Sequence, residues 1–300
     1  MFDRVIVPLD GSPFAADAIP WALQLPARSA LLIRVEPNLP MAGGELAGFD
    51  YAKGQATTAA ADTSALEAAG APLRDAGLAV STVVRVNDDP AAAIIDEAKP
   101  GDVIVMTTHG RGSIGRIIYG SIADRVARHA VVPTLLVRPG AHIDGPKRIV
   151  VPIDGSPVAE VALPVAAAIA KARSIPIHLL RIVDLNDVLR ELRADRPSID
   201  APVLDTTFDD TRREVESEAS RHLSVLAAPL EAAGLHITTR VEGGSPAQGI
   251  LDAIGPSDLL VMTSRGRGGL KRWLIGSVAD KLVRESPAPV LLVRPQQELV

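Results

Sequence analysis

Two short segments occur twice along the chain, and their residue types are suited to holding an anion. Asp10-Gly11-Ser12 returns as Asp154-Gly155-Ser156, and Gly120-Ser121 returns as Gly276-Ser277. Glycine allows a ligand to approach the backbone closely. A serine at the start of a helix lies beside free N–H groups and the positive end of the helix dipole, which favour phosphate. The pattern therefore predicts one anion site in each half of the chain.

The loop before each Gly-Ser pair is rich in cations, although the chain has a formal net charge of −5. Cations concentrated on one loop of an acidic protein indicate a local anion site. The alternative is a solvated loop with a capping serine and turn glycines, since duplication alone also preserves such turns. The cations are Arg111 and Arg116 in the first copy, and Arg265, Arg267, Lys271 and Arg272 in the second.

Asp10 and Asp154 each follow an apolar run, and two interpretations fit that position. Each could be a turn aspartate that accepts hydrogen bonds from backbone N–H groups after a strand. Each could instead accept a hydrogen bond from an amino group or a ribose hydroxyl of a nucleotide. Residue type and position leave both interpretations open.

The elements that would position these residues are short apolar runs alternating with longer alanine-rich stretches. The runs lack polar alternation, which is typical of strands buried on both faces of a parallel sheet. In the first copy the predicted strands are Arg4–Leu9, Ala30–Val35, Ala79–Val86, Val103–Thr107 and Thr134–Val137. The predicted helices are Phe14–Leu25, roughly Tyr51–Ala76, Pro90–Ala98 and Ser121–His129.

This alternation predicts the α/β class, with open parallel five-stranded sheets in tandem and helices on both faces of each. We expect the strand order 3-2-1-4-5 and a Rossmann-like nucleotide-binding architecture. In such sheets, ligands bind at the carboxyl ends of the strands where the order reverses. The predicted crevice therefore lies between the first and fourth strands.

The whole pattern is duplicated along the chain. Asp10 and Asp154 are 144 residues apart, and Gly120 and Gly276 are 156 apart. A period near 150 residues is too long for a solenoid unit and indicates two copies of one domain. We predict domains at residues 1–140 and 146–300, separated by a polar segment that contains Gly and Pro.

The composition argues against several classes of protein. The 300 residues include no cysteine, which excludes a disulfide framework, a thiolate zinc site and a cysteine nucleophile. The acidic charge and 3% aromatic content argue against a nucleic-acid binder. No apolar run approaches the ~18 residues of a membrane span, and the start lacks a secretory pattern. We therefore expect a cytoplasmic protein with neither a membrane nor a nucleic-acid partner.

The motifs resemble the universal stress protein family, in its ATP-binding, tandem-domain form. That family carries V-P-x-D at the end of the first strand and G-x2-G-x9-G-[ST] after the fourth. Gly110-x9-Gly120-Ser121 and Gly266-x9-Gly276-Ser277 match the second part of this motif, and the likeness covers both halves. The chain departs from the pattern at the first glycine, which is Thr107 in one copy and Thr263 in the other.

The resemblance implies a set of nucleotide contacts at the strand ends. Asp10 and Asp154 would contact the adenosine, with backbone near Val35 and its approximate equivalent Val183. The same wall would be lined by Pro8, Leu9, Pro152 and Ile153. The ribose and phosphates would be flanked by Met106, Thr107, His109, Gly110 and Arg111, and by Met262, Thr263, Arg265, Gly266 and Arg267. Phosphate donors would come from Gly120, Ser121, Ile122, Gly276, Ser277 and Val278.

The resemblance also implies a function and its ligand. We expect one ATP in each domain, with Mg²⁺ arriving on its phosphates rather than held by protein side chains. The first hypothesis is a nucleotide-dependent stress-response module with no catalytic residues. The alternatives are a slow ATPase or nucleotidyl-transfer enzyme, and a nucleotide-free scaffold with decayed sites. The implied contacts are pairing of the domains through their last strands, a homodimer and an unidentified protein partner.

Overall fold

The computed structural model describes residues 1–38, 51–108, 120–141, 144–184, 201–264 and 275–294. For residues 51–59 and 201–207 it describes only the helical backbone. The chain divides into two compact units, Met1–Gly145 and Pro146–Val300. The predicted domain bounds, residues 1–140 and 146–300, remain a prediction.

The first unit alternates strands and helices along the chain. Its strands are β1 (Phe2–Pro8), β2 (Ala27–Glu36), β3 (Ala79–Val86), β4 (Asp102–Thr107) and β5 (Thr134–Val137). Its helices are α1 (Pro13–Ala16), α2 (Ala18–Ala22), α3 (Tyr51–Ala69), α4 (Ala71–Asp75), α5 (Pro90–Glu97) and α6 (Ser121–His129).

The second unit repeats this alternation. Its strands are β6 (Arg148–Pro152), β7 (Ile177–Val183), β8 (Ile237–Gly243), β9 (Asp258–Thr263) and β10 (Val290–Val293). Its helices are α7 (Pro157–Glu160), α8 (Ala162–Arg173), α9 (Ala201–Ala232), α10 (Pro246–Ala253) and α11 (Ser277–Glu285).

The α/β class, the parallel pairing and the strand order within each unit are as predicted. The first unit contributes β3-β2-β1-β4-β5, and the second contributes β10-β9-β6-β7-β8. The strand pairs within each unit are parallel. The prediction of two separate five-stranded sheets is wrong, because the ten strands follow one another in a single order.

An arginine–aspartate pair joins the amino ends of the first and fourth strands in each unit. Arg4 Nη2 lies 2.7 Å from Asp102 Oδ2, and Arg148 Nη2 lies 2.6 Å from Asp258 Oδ2. Hydrogen bonding to the carboxylate raises the pKa of each guanidinium. The pairs lie at the edge of each sheet opposite the predicted crevice, so they contribute to stability rather than to ligand contact.

The long helix predicted at Tyr51–Ala76 is interrupted in the structure. Helix α3 ends at Ala69 and α4 begins at Ala71. A Cβ built on Gly70 would lie 3.0 Å from Val80 Cγ1 and 3.2 Å from Leu32 Cδ1. Glycine therefore allows the backbone to approach the sheet closely, which helical periodicity alone does not reveal.

His178 is a buried polar side chain in the sheet of the second unit. Its Nδ1 lies 2.8 Å from Thr238 Oγ1. Burial lowers the pKa of His178, and the charges of Arg148 and Arg240 lower it further. Asp258 and Glu242 oppose this shift less strongly. The folded unit therefore holds this imidazole in its neutral form.

We expect this histidine to make the second unit sensitive to acid. The unfolded chain binds the proton more readily, so stability is full above about pH 6.5 and falls as the pH drops through that value. The slope is at most about 1.4 kcal/mol per pH unit for one proton. Urea unfolding of the wild type and of His178→Leu between pH 5 and 8 measures it. Equal pH dependence in the two proteins would contradict the assignment.

Candidate functional site

The loop after the first strand has the same geometry in both units. Asp10 Oδ1 accepts a hydrogen bond from the Ser12 N–H at 2.9 Å, and Asp154 Oδ1 accepts one from Ser156 N–H at 2.9 Å. Gly155, which lies between Asp154 and Ser156, has φ +82°, a conformation that favours glycine. Both aspartates therefore act as turn residues, and a ligand contact by either remains a prediction.

The serines that follow begin helices, as their position before proline predicts. Ser12 Oγ accepts a hydrogen bond from Ala15 N–H at 3.2 Å, and Ser156 Oγ accepts one from Ala159 N–H at 3.3 Å. These caps hold the first loop against the end of the first strand. Each aspartate is thereby fixed at the carboxyl edge of its sheet.

The Gly-Ser pair is held at the end of the fourth strand. Gly120 N–H donates to the Thr108 carbonyl at 2.7 Å, and Gly276 N–H donates to the Ser264 carbonyl at 2.9 Å. Both glycines are extended and precede the first helical residue, so α6 begins at Ser121 and α11 at Ser277. A glycine cap has no side chain to occupy the first-turn N–H groups, which is the arrangement an anion site requires.

The first and fourth strands are neighbours in each sheet, so these two loops share one edge. Ile6 is paired with Ile104, and Val150 is paired with Leu260. The structure thus brings the aspartate turn and the glycine-capped helix to the same end of adjacent strands. This is the crevice position predicted for a doubly wound sheet.

The threonines that replace the first family glycine are the last residues of their strands. Thr107 and Thr263 are both buried, and β-branched side chains suit such positions. The preceding residues, Met106 and Met262, are buried as well. The departure from the family pattern is therefore accommodated inside the sheet.

The wall beside the first strand is equivalent in the two units. Leu9 N–H donates to the Ile33 carbonyl and Ile153 N–H to the Leu180 carbonyl, both at 2.8 Å. Leu9 and Ile153 are buried. The prolines before them, Pro8 and Pro152, are partly buried.

The equivalence proposed between Val35 and Val183 is wrong by one residue. Counting onward from the two matching carbonyl groups, Val35 corresponds to Ile182, and Val183 corresponds to Glu36. The connection from the first strand to the second is three residues longer in the second unit. The number of residues between the aspartate and the second strand therefore differs between the copies, so it cannot be used to match residues of that strand.

Six of the predicted contacts lie outside the described residues. They are His109, Gly110, Arg111, Arg265, Gly266 and Arg267. The cationic loops before the two Gly-Ser pairs are thus not part of the described geometry.

The sequence reasoning missed a pair of arginines near the end of the second strand. Arg34 Nη2 lies 3.3 Å from Asp62 Oδ1, and its Nε also contacts Glu36. Arg181 occupies the matching position in the second unit, one residue beyond Leu180. Aligning the two copies along the second strand would have found them, since both follow equivalent apolar runs.

A further missed residue is Arg294, which directly follows the last strand. Its Nη1 donates to Ser264 Oγ at 3.0 Å. Ser264 is fully buried and its carbonyl binds Gly276 N–H. Arg294 therefore holds Ser264, and the Ser264 carbonyl in turn binds the N–H of Gly276 at the start of α11.

Helix α6 is also tied to its neighbour. Arg125 donates to both carboxylate oxygens of Asp89, at 2.8 and 2.6 Å. Asp89 caps α5 by accepting from Ala92 N–H at 3.1 Å, as its position before proline predicts. The Arg125 hydrogen bonds, followed by the Ala92 bond, lower the pKa of the Asp89 carboxyl. The pair connects the helix that begins at the crevice to α5.

Two kinds of site do not occur in the described parts of the chain. Across those residues, no group of three His, Asp or Glu side chains is arranged to hold a metal ion. None of the helices there combines the length and the apolar character that crossing a bilayer requires.

Comparison with known proteins gives consistent matches over both halves. The model of the universal stress protein family matches residues 1–138 and 145–294. A universal stress protein from Mycolicibacterium smegmatis is 28% identical over 224 residues, covering 73% of this chain and 70% of that protein. The crystal structure of a universal stress protein from Archaeoglobus fulgidus has a TM-score of 0.66 at 17% identity, covering 97% of this chain and 98% of that one.

A universal stress protein solved in complex with cAMP is 24% identical, with a TM-score of 0.32, and covers 49% of this chain and 96% of its own. The family match covers nearly the whole chain in two consecutive segments. The chain therefore belongs to the universal stress protein family, with two copies of the family domain.

Proposed function

We propose that each unit binds one ATP in the crevice between its first and fourth strands. The observation that carries this proposal is the repeated placement of an aspartate turn beside a glycine-capped helix start. Gly120 and Gly276 make the same hydrogen bond to the end of the neighbouring strand. Both units have the aspartate turn and the glycine-capped helix start, which a ligand with an adenosine end and a phosphate end would need.

The residues divide the nucleotide between them. Asp10 and Asp154 contact the adenosine, and backbone N–H groups after Gly120 and Gly276 hold phosphate through the helix dipole. Arg111 and Arg267 add positive charge near the phosphates. Mg²⁺ arrives with the phosphates.

The bound nucleotide acts as a regulatory ligand in a cytoplasmic stress-response module. Occupancy changes the shape or partners of the chain, and no residue of the described crevice is assigned as a catalyst. Each unit's last strand, β5 or β10, ends the strand order of that unit. These strands are the surfaces we propose for pairing of the domains, since pairing removes an unprotected edge. A homodimer and a protein partner complete the proposal.

The second candidate function is a nucleotide-free scaffold. It is favoured by Thr107 and Thr263, which place side chains where the family pattern has glycine. An ATPase is the remaining alternative. Steady ATP turnover that Asp10→Ala abolishes would favour the ATPase.

Gly120→Val and Gly276→Val test the proposal. Both glycines have φ near −60°, which valine adopts without strain, so the added side chain acts by blocking phosphate approach. Calorimetric titration with Mg-ATP is expected to give about two sites in the wild type, one in each single variant and none in the double variant.

Gly255→Val is the matched control, because a Cβ there meets nothing within 4 Å and the backbone conformation is ordinary. It should retain both sites. Unchanged stoichiometry in the double variant would reject the site assignment. Absence of binding to the wild type at millimolar Mg-ATP would favour the scaffold.

A further inference from the structure

We propose that the linker between the two units holds the aspartate turn of the first crevice in place, and that occupancy of that crevice is coupled to the linker in return. The linker consists of residues 140–145 and is attached to the first unit at Asp17 and Gln24. The second crevice lacks this coupling, because its aspartate turn is held by His222 of α9. The inference rests on the proposed nucleotide function and adds positioning residues to it.

The helix that follows each aspartate turn is a single turn long. Helix α1 covers Pro13–Ala16, and α7 covers Pro157–Glu160. The first turn of a helix costs more conformational entropy than its hydrogen bonds return, so such a short helix depends on contacts outside itself. Ala15 is the only buried residue of α1, and Ala159 is the only one of α7. Apolar packing therefore holds these helices weakly, and a polar contact at the end of either one matters.

The aspartate turn and this helix form one hydrogen-bonded unit. In the first unit Asp10 accepts from the Ser12 N–H at 2.9 Å, and Ser12 Oγ accepts from the Ala15 N–H at 3.2 Å. Asp17 directly follows the helix, and its N–H donates to the Phe14 carbonyl at 3.2 Å. Fraying of the helix would release the serine cap and with it a partner of the Asp10 carboxylate. A contact at Asp17 therefore stabilises the turn that we assign to the adenosine.

In the first unit that contact comes from the linker. Asp17 Oδ2 accepts a hydrogen bond from the Gly140 N–H at 2.9 Å. Gly145 lies against Gln24, because a Cβ built on this glycine would be 2.7 Å from Gln24 Cδ and 3.2 Å from its Nε2. Gly145 has φ +82°, so its conformation and this close approach both favour glycine. The linker is thus attached at its two ends, and both contacts lie within the first compact unit.

The second copy carries apolar residues at the positions that hold the linker in the first. The two copies align without a gap through the aspartate turn and α2, at the 144-residue offset of the two aspartates. At this offset Asp17 corresponds to Val161, and Gln24 corresponds to Ala168. Neither valine nor alanine has a side-chain atom that forms hydrogen bonds. The two residues that hold the linker therefore occur in the copy that precedes it, and their counterparts in the copy that follows it cannot take that role.

Helix α7 is held by a different element. Glu160 Oε1 lies 3.1 Å from His222 Nε2 on α9. Glu160 corresponds to Ala16, and His222 corresponds to Ala65, since α4 and the end of α9 share the segment Ala-Pro-Leu. Two alanines cannot make this pair, so the contact is specific to the second unit. The one-turn helices are therefore held at neighbouring positions, but by different parts of the chain.

This difference makes the two crevices respond differently to their ligand. A ligand that needs the ordered turn binds with an affinity reduced by the fraction of molecules in which the turn is ordered. The hydrogen bond between Asp17 and Gly140 raises that fraction, so the linker strengthens binding at the first site. Coupling free energies are reciprocal, so ATP at the first site strengthens the attachment of the linker by the same factor. ATP at the second site acts on the pair of Glu160 and His222 and leaves the linker unchanged.

Titration of each site in the full-length chain tests the positioning role. Gly276→Val leaves the first site, and Gly120→Val leaves the second. Asp17→Val, which introduces the second copy's residue, is expected to weaken ATP at the first site about 2- to 10-fold, the range for one hydrogen bond, and to leave the second site unchanged. Asp17→Asn keeps an acceptor and should retain most of the affinity, which separates the hydrogen bond from the charge. His222→Ala should weaken the second site alone.

Hydrogen exchange of the peptide that contains the linker measures the reciprocal effect. Saturating Mg-ATP should slow this exchange about 2- to 10-fold in the Gly276→Val background and leave it unchanged in the Gly120→Val background. Without nucleotide, Asp17→Val should already speed the exchange, while peptides from β1 and β4 keep their protection and show that the unit remains folded. With Asp17→Val present, Mg-ATP should no longer slow it.

Two results would overturn the inference while leaving the proposed function intact. One is unchanged ATP affinity of the first site in Asp17→Val. The other is equal slowing of linker exchange in the two single-site backgrounds. No ATP binding in any of these proteins would instead reject the proposed function, and the coupling with it.

Discussion

Asp102→Ala is expected to destabilise the first unit by about 2–3 kcal/mol, and Asp258→Ala to destabilise the second unit by somewhat less, because the Arg148 side chain is 36% exposed. The Asp102 side chain is 5% exposed and receives Arg4 Nη2 at 2.7 Å and the Lys99 N–H at 2.8 Å. Removing the carboxylate takes from each guanidinium its nearest counter-charge, although Arg4 keeps Glu97 at 3.6 Å and the Arg148 side chain is 36% exposed. The cost is therefore the loss of charge-assisted hydrogen bonds to a largely buried carboxylate, which exceeds that of a surface ion pair.

Native-state hydrogen exchange, resolved by peptide, measures the opening free energy of each unit separately. Each variant should lower protection in its own unit. Asp75→Ala is the control, since Asp75 is an exposed aspartate on α4. Replacing both partners, Arg4→Met with Asp102→Leu, should recover much of the loss because no charge stays buried. A loss below about 0.5 kcal/mol for both single variants would contradict the assignment.

Trp21→Ala is expected to cost the first unit about 3–5 kcal/mol, the range for deleting a large buried aromatic side chain. Trp21 is 2% exposed on α2, which packs against β1 and β4. Trp21 is therefore a packing residue of the first unit. The corresponding position in the second unit is Val165, which is only partly buried.

Trp21→Phe provides the matched comparison. Trp21 Nε1 is buried and has no hydrogen-bond partner among the described residues, so phenylalanine removes an unsatisfied donor while keeping an aromatic ring. We expect this variant to cost about 1–2 kcal/mol, well below the alanine variant. Equal losses for the two substitutions, measured by the same exchange experiment, would show that ring packing contributes little.

The parts of the fold that depend on local rules could be predicted from the sequence. The apolar runs became strands, although β3 ends the strand order and is partly exposed, and Ser12 and Ser156, each before a proline, cap helices. The Gly-Ser pairs begin α6 and α11 as expected. Each of these features involves residues within a few positions of one another, so composition and order are sufficient.

The features that the sequence reasoning missed join distant parts of the chain. The contact between Arg34 and Asp62 joins β2 to α3, and Arg181 reaches Gly155 from a neighbouring strand. Gly70, where the predicted helix is interrupted, lies close to Leu32 and Val80. No periodicity encodes such neighbours, because they depend on the register and tilt of separate elements.

The paired arginine and aspartate at the amino edge of each sheet have a consequence for how the two halves could diverge. This foundation is the same in both copies, whereas the opposite edge differs at Glu36 and Val183, and at Asp62 and Ala219. After a gene duplication, mutations at the carboxyl edge of one sheet could alter ligand preference without weakening the arginine–aspartate pair at its amino edge. A variant in which these carboxyl-edge residues are exchanged between the two units should consequently still fold.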